Sequence, residues 1–492
     1  MIHEIDIKRW LFTGAAVLVT VFVCLKAVFS GSIMLKAGII AAPLALFFIN
    51  QPIALLMAMF LVDTAGLNIP GLWANVSLAN LFQLMVVGLG IARRIIVKPT
   101  DIRREASEKV LLFFLMNLVV VIYFRGLGLS VLGSSMMGGM GYVILFLAAG
   151  VYFFASDLRL NRRQIKFFVI ANIVAGLLPA FVQIAFILSG GRFYILAYFI
   201  QANLGYVAQS IFSTVRESVS RLSSLKEISL SLLTMALVFK FKRVDRVLRG
   251  LLIGLAIVAV MLSGFRSALL TIMVLMGFWF FARGTARERV TMVGAGAIFA
   301  ALGWVILFLF SDKLPHSMLR AVSWVPGVHI PYSVAMDARG SLEWRWEIWR
   351  YMLDDIPNYL LVGKGFCFPP DYLITTTVWE GMKSHAHFLV HNYHSGPLSL
   401  LLDLGLPGLI TATLFMVISS WEHIRGIKRF KEDTMMSRYY QLLSILYVWG
   451  CLTFFIIHGD ARSSISVMLL SSTLLRILRY SIEKEQMVKN NA

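Results

Sequence analysis

Four histidines fall within ten residues, His385, His387, His391 and His394, in the stretch HAHFLVHNYHSGP. Imidazole near neutral pH binds a metal or accepts a proton. His387 and His391 are four apart, so on a helix they share a face, as a metal pair would. No HExxH pattern accompanies them in the sequence, and no nearby carboxylate stands as a clear third ligand. In the second reading, one neutral histidine at a membrane surface accepts the proton of a hydroxyl nucleophile. In the third, a histidine at the start of a helix is only structural.

Two arginines carry a different chemistry. Arg266 lies in MLSGFRSALL, between two apolar stretches. A guanidinium so near hydrocarbon is expensive unless it has a task or a partner. Its planar fork suits a phosphate bidentately, and the competing reading is an arginine that snorkels to headgroup phosphates. Arg216 and Arg221, in another outer loop, extend the same positive surface. The segment SLEWRWEIWRYMLDD reads as an amphipathic helix, with Trp346, Trp349 and Met352-Leu353 recurring at helical spacing. Arg345 and Trp349 are four apart and share a face. Pro357, then Gly363 and Gly365, end the helix in a tight turn. Alternatively this helix lies in the membrane interface, with Arg345 snorkelling or paired to Glu343 or Asp354. A further outer turn, HGDARSS, holds His458, Asp460 and Arg462; it borders the same site or is a hydrogen-bonded turn between spans.

The elements that must position these residues are set by composition. Of 492 residues 59% are hydrophobic and 14% charged, and the mean hydropathy is +0.79. Soluble proteins run roughly 45–50% apolar and about 25% charged. A water-soluble enzyme, a disordered chain and a disulfide scaffold are excluded. The fold class is an all-α polytopic membrane protein. A span needs about 20 apolar residues, and candidate spans begin near Trp10, Ile33, Pro52, Ser77, Val110, Met140, Phe167, Glu227, Gly250, Ser267, Val290, Gly396, Tyr440 and Ser463. The second and third are short and split by Asn50-Gln51-Pro52, so about 12–14 transmembrane helices are expected.

The net charge is +19, and 29 of the 45 basic residues fall in alternate loops and at the termini. By the positive-inside rule these loops and both termini are cytoplasmic. The first span, directly after Lys8-Arg9, then acts as an uncleaved anchor. The bundle divides into N-terminal helices to residue 310, a large outer loop at 311–395, C-terminal helices at 396–479 and a tail at 480–492. The outer loop holds six of the nine histidines and five of the eleven tryptophans, and its seven basic residues nearly cancel its eight acidic ones. A long loop of this composition on a rigid scaffold is an active-site candidate; the competing reading is a cap whose tryptophans sit at lipid headgroups. Cys24 and Cys451 lie in spans and Cys367 alone outside, which implies no disulfide framework.

The order LSGFRSALL, RWEIW, P-x5-G-x-G-F, then a histidine followed by LLLDLGLPGL, resembles the O-antigen ligase and O-antigen polymerase superfamily, which includes bacterial protein O-oligosaccharyltransferases. Arg266 matches that family's first arginine, Arg345 with Trp349 the second, and Pro357, Gly363 and Gly365 the turn. Asp403 and Gly405 match the acidic-x-Gly, with Gly408 beyond. His394 has the family's spacing, eleven residues before Gly405, whereas His391 has its His-Asn dipeptide; the spacing favours His394. The resemblance implies a metal-independent glycosyltransferase without cofactor, in the bacterial inner membrane, with its active site on the periplasmic side. It implies a glycan donor linked to undecaprenyl diphosphate and a hydroxyl acceptor on lipid A-core, glycan or protein. His394, His391 and Arg345 would be catalytic, and Arg266, Arg216, Arg221, Trp349 and Asp403 would bind substrate. The charge pattern gives no reason to expect nucleic acid. A transporter of polysaccharide or small anions is the alternative, although the sequence shows no internal repeat and few ionisable residues within the spans. A structural scaffold is the third reading, which the His- and Trp-rich loop disfavours.

Overall fold

The computed structural model describes residues 51–68, 77–96, 105–129, 134–155, 158–201, 222–240, 245–283, 286–369, 391, 393–430 and 434–490. The spans expected near Trp10 and Ile33, together with Arg216, Arg221, His385 and His387, lie outside the described residues.

The chain is helical, with no β-strand among the described residues. In order the helices are α1 (Pro52–Ala65), α2 (Leu78–Ile96), α3 (Ala106–Arg125), α4 (Met140–Ala155), α5 (Arg162–Leu188), α6 (Ser223–Val238), α7 (Asp245–Leu262), α8 (Arg266–Arg283), α9 (Ala286–Phe310), α10 (His316–Ala321), α11 (Tyr332–Leu353), α12 (Ile356–Tyr359), α13 (Gly396–Arg429), α14 (Met435–Ile456) and α15 (Ser463–Asn490). Among the described residues six apolar segments, at 106–125, 162–188, 289–313, 396–429, 435–456 and 463–488, are long enough to cross a membrane. Shorter apolar helices stand at 52–65, 140–155, 247–262 and 266–282. The protein is a multi-pass membrane protein, because only helices satisfy every backbone group across lipid in such runs.

Sequence sets the helix ends locally. The Asn161 side chain accepts from Gln164 N and the Gln164 side chain from Asn161 N, a reciprocal cap that starts α5. Thr434 caps α14 by accepting from Ser437 N. Of these six segments the one in α15 is the most enclosed, packed against α4 and α14. By contrast the large side chains of α9 that are described face outward, as lipid-facing residues do.

Helix α15 runs to Asn490 and keeps Tyr480, Ile482 and Glu483 buried. Arg476 and Arg479, two of the basic residues near the C-terminus, are also buried. Arg476 is 1% exposed, pairs with Glu108 and Glu105, and stacks 4.6 Å over the Tyr152 ring; Arg479 and the Tyr480 hydroxyl both donate to Glu105. A guanidinium this deep stays only if paired, and losing one partner typically costs about 3–5 kcal/mol.

The element that shapes the opposite end of the bundle is a break in α13. Gly405 has φ +74° inside the helix, and Pro407 follows without an N–H. The carbonyls of Leu402, Asp403 and Leu404 therefore lose helical donors. Two are taken by a distant loop: Lys364 N donates to Leu402 O at 2.7 Å and Gly365 N to Asp403 O at 2.9 Å. The third is taken by Asn117 Nδ2 at 3.1 Å. In return Leu406 N donates to Leu360 O at 2.7 Å. The Gly363-x-Gly365 turn and the Asp403-x-Gly405 segment are thus two halves of one joint. A Cβ on Gly363, which has φ +77°, would stand 2.5 Å from Asp403 O.

Gly363→Ala should therefore destabilise the protein by more than the roughly 1–2 kcal/mol of left-handed strain alone, because backbone must also move. Gly250→Ala, with open space around it, should not. Thermal unfolding of the detergent-purified variants measures this, and equal melting of both would contradict the joint.

Candidate active site

The joint delivers Asp403 to the middle of a closed polar cluster. Its carboxyl is 0% exposed. Oδ1 lies 2.7 Å from His391 Nδ1 and accepts from the Tyr393 hydroxyl at 2.9 Å. With the carboxyl accepting, His391 carries its proton on Nδ1 and presents a lone pair at Nε2. That Nε2 has no hydrogen-bond partner among the described residues. The imidazole is 2% exposed and meets the Phe366 ring edge-on, 5.6 Å between centroids. Burial lowers the His391 pKa, against the pull of Asp403, so the ring is neutral at neutral pH. Burial likewise raises the Tyr393 hydroxyl well above its usual value, so it stays a donor.

Lys364 sits beside this cluster, its ammonium 5.4 Å from the centre of the Tyr393 ring. Burial pushes its amine down to about 8, opposed by Asp403 and Asp355. Phe366 N donates to the Tyr142 hydroxyl at 3.0 Å, and Arg125 Nε donates to Gly363 O at 2.7 Å, so α3 and α4 hold the loop from behind.

His394 lies three residues on, half-buried, with its ring 5.0 Å from Trp344 in an edge contact. Both histidines adopt left-handed backbone, φ 58° for His391 and 53° for His394. Non-glycine residues seldom do so, and such strain gathers at sites where the surroundings over-determine it. His394 precedes α13, which starts at Gly396, so its position is set by this turn rather than by helical spacing from Gly405.

Helix α11 collects the remaining residues. Arg266, the first residue of α8, donates to Ala338 O at 3.0 Å. Trp344 touches His394. Arg345 donates to Ile457 O at 3.4 Å, at the end of α14. Trp349 Nε1 donates to Tyr393 O at 2.8 Å. Positions 338 and 349 are about 16 Å apart along a helix at 1.5 Å per residue. The helix is itself fixed at its start, because Arg320 of α10 pairs with Asp337 and donates to Gly264 O at 2.6 Å in the turn before α8. The structure thus brings Arg266, Arg345, Trp349, His391, His394 and Asp403 onto or beside elements at one end of the bundle.

The HGDARSS turn belongs to the same end. Asp460 accepts from Arg462 N and Ser463 N at 2.9 and 2.6 Å and so caps α15. Burial, then the positive charges of Arg345 and Lys226, lower the His458 pKa, with Asp460 opposing. Sequence reasoning missed Lys364 and Tyr393. Lys364 carried a signal, a lysine between the two glycines of the turn; Tyr393 carried none beyond its place between the histidines.

Fold and site together define a membrane protein whose polar chemistry is concentrated where α11 crosses the ends of α8, α13 and α14. Residues 251–413 match the family described as O-antigen ligase, in agreement with the resemblance carried by the motifs. The match takes in every motif from Arg266 to Gly408 and covers about a third of the chain. It supports a membrane glycosyltransferase of the O-antigen ligase or polymerase type. No curated protein matches the chain. Among the described residues no group of three or more His, Cys, Asp or Glu side chains is placed to hold a metal. Cys367 and Cys451 are free thiols, Cys367 donating to Gly126 O at 3.2 Å.

Removing the Tyr393 hydroxyl leaves a buried carboxyl with one donor fewer, a loss worth about 1–3 kcal/mol. Tyr393→Phe should accordingly lower the melting temperature. An unchanged melting temperature would mean that the hydroxyl does not hold Asp403.

Proposed function

We propose that the protein transfers a glycan from an undecaprenyl diphosphate carrier to a hydroxyl acceptor, on the periplasmic face of a bacterial inner membrane. The observation that carries this reading is the convergence on α11 of two arginines and a half-exposed histidine, within the segment that resembles the O-antigen ligase family.

Each group has a part in such a reaction. The bond from the anomeric carbon to the diphosphate oxygen breaks while a bond to the acceptor oxygen forms. The diphosphate leaves with the electron pair, and Arg266 and Arg345 stabilise the charge that builds there. The acceptor hydroxyl is a weak nucleophile and passes its proton to His394 as the new bond forms. Attack opposite the leaving group inverts the anomeric centre. His391 is the more enclosed histidine. Its bond to Asp403 fixes the turn that presents His394, so both enter as positioning residues, with Tyr393 and Trp349 bracing the same turn. Arg216 and Arg221, which lie outside the described residues, are assigned to phosphate binding from the sequence alone. The arginines supply the positive charge, so the reaction needs neither metal nor cofactor. The acceptor is lipid A-core, another glycan or a protein.

The test is deletion of the gene and complementation with variants, read by gel analysis of surface glycan. Arg266→Ala, Arg345→Ala and His394→Ala should each abolish transfer while the protein still inserts. His391→Ala should lower both transfer and melting temperature. Full transfer by a His391→Ala/His394→Ala double variant would exclude the histidine role. The acceptor follows from the same gel. Loss of all long chains from lipid A-core marks a ligase, single repeat units on the core mark a polymerase, and altered glycoproteins with unchanged lipopolysaccharide mark a protein glycosyltransferase.

A further inference from the structure

At the end of the bundle opposite the site, α8, α13 and α14 leave a groove of about 650 Å³ between them. Its walls are apolar, with Phe278, Ile427, Ile445 and Leu452 among them, and its mouth carries Arg289 and Lys428. No carboxylate lines it among the described residues. A neighbouring cavity at the same end makes the contrast. There Glu105, Glu422 and Glu483 face Arg425, Arg429 and Arg479, and the charges pair internally, Arg479 with Glu105 and Arg429 with Glu483. The groove has two cations over hydrocarbon and, among the described residues that line it, no carboxylate to pair with them.

The geometry points to a single anionic phospholipid of the cytoplasmic leaflet as its occupant, with the headgroup phosphate on Arg289 and Lys428 and an acyl chain along α14. Arg289 is held for this task. Its guanidinium stacks 4.8 Å from the centre of the Phe281 ring, and its Nε has no hydrogen-bond partner among the described residues. The depth fits one leaflet. From Gln441 to Leu452 the groove follows α14 for eleven residues, about 16 Å of rise, against about half of a 30 Å hydrocarbon core. Within the groove wall the Trp449 indole donates to Thr271 Oγ1 at 2.9 Å and ties α14 to α8. Arg289 and Lys428 mark the end at which the headgroup sits, which the charge pattern assigns to the cytoplasm. This separates it from a donor arriving at Arg266, and the inference stands whether or not the glycan-transfer reading does.

The full chain, purified in detergent, is titrated with phosphatidylglycerol or phosphatidylcholine and examined by native mass spectrometry. We expect one phosphatidylglycerol retained per chain, and phosphatidylcholine held much more weakly. An Arg289→Gln/Lys428→Gln variant should lose roughly thirty-fold in phosphatidylglycerol affinity. Ile445→Trp, which fills the groove and keeps both cations, should lose it too, with size exclusion checking that every variant remains monodisperse. Equal retention of the two headgroups, unchanged binding by the double variant, or unsaturable adducts would overturn the proposal. So would displacement of phosphatidylglycerol by polyprenyl phosphate, which would give the groove to the donor's tail.

Discussion

The site rests on carbonyls that a broken helix cannot satisfy by itself. Gly405 and Pro407 interrupt α13, and an unpaired carbonyl inside a membrane protein costs several kcal/mol. The Gly363–Gly365 turn supplies two of the missing donors and Asn117 the third. Only a chain without Cβ atoms at Gly363 and Gly405 approaches this closely. The same exchange that repairs the helix fixes the side chain of Asp403, and Asp403 fixes the turn holding His391 and Tyr393. Stability and placement of the polar groups are here one feature.

Helix α11 turns that local order into a longer ruler. It is clamped through Arg320 and Asp337 at one end and braced by Trp349 on the histidine turn at the other. Between these points it touches Arg266, His394 and, through Arg345, the end of α14. Groups from four helices and a loop are thereby held in a fixed sequence along one rod. Any reaction that needs cations at one position and a proton acceptor at another has both without further folding.

Much of this was legible in the sequence, for identifiable reasons. Apolar runs of membrane length announce helices directly, and the expected starts near Val110, Met140, Gly396 and Ser463 coincide with α3, α4, α13 and α15 within a few residues. The arginines and glycines stood out because each is costly where it sits. The pairing of Gly363-x-Gly365 with Asp403-x-Gly405 was not legible, since 37 intervening residues hide a backbone hydrogen-bond exchange. Nor was the enclosure of Asp403, read as a substrate ligand from its motif and found bonded to His391 and Tyr393. Arg476 and Arg479 are among the basic residues near the C-terminus that the charge count takes together. Partners from the start of α3 make them internal, and charge counting cannot see a partner 370 residues away.

The most direct measurement is stoichiometric. Purified protein in liposomes, given a glycan on undecaprenyl diphosphate and a hydroxyl acceptor, is followed for both products, with EDTA present throughout. The account predicts one undecaprenyl diphosphate released for each glycan gained by the acceptor. Movement of intact donor or glycan across the bilayer, without cleavage of the diphosphate bond, would contradict it.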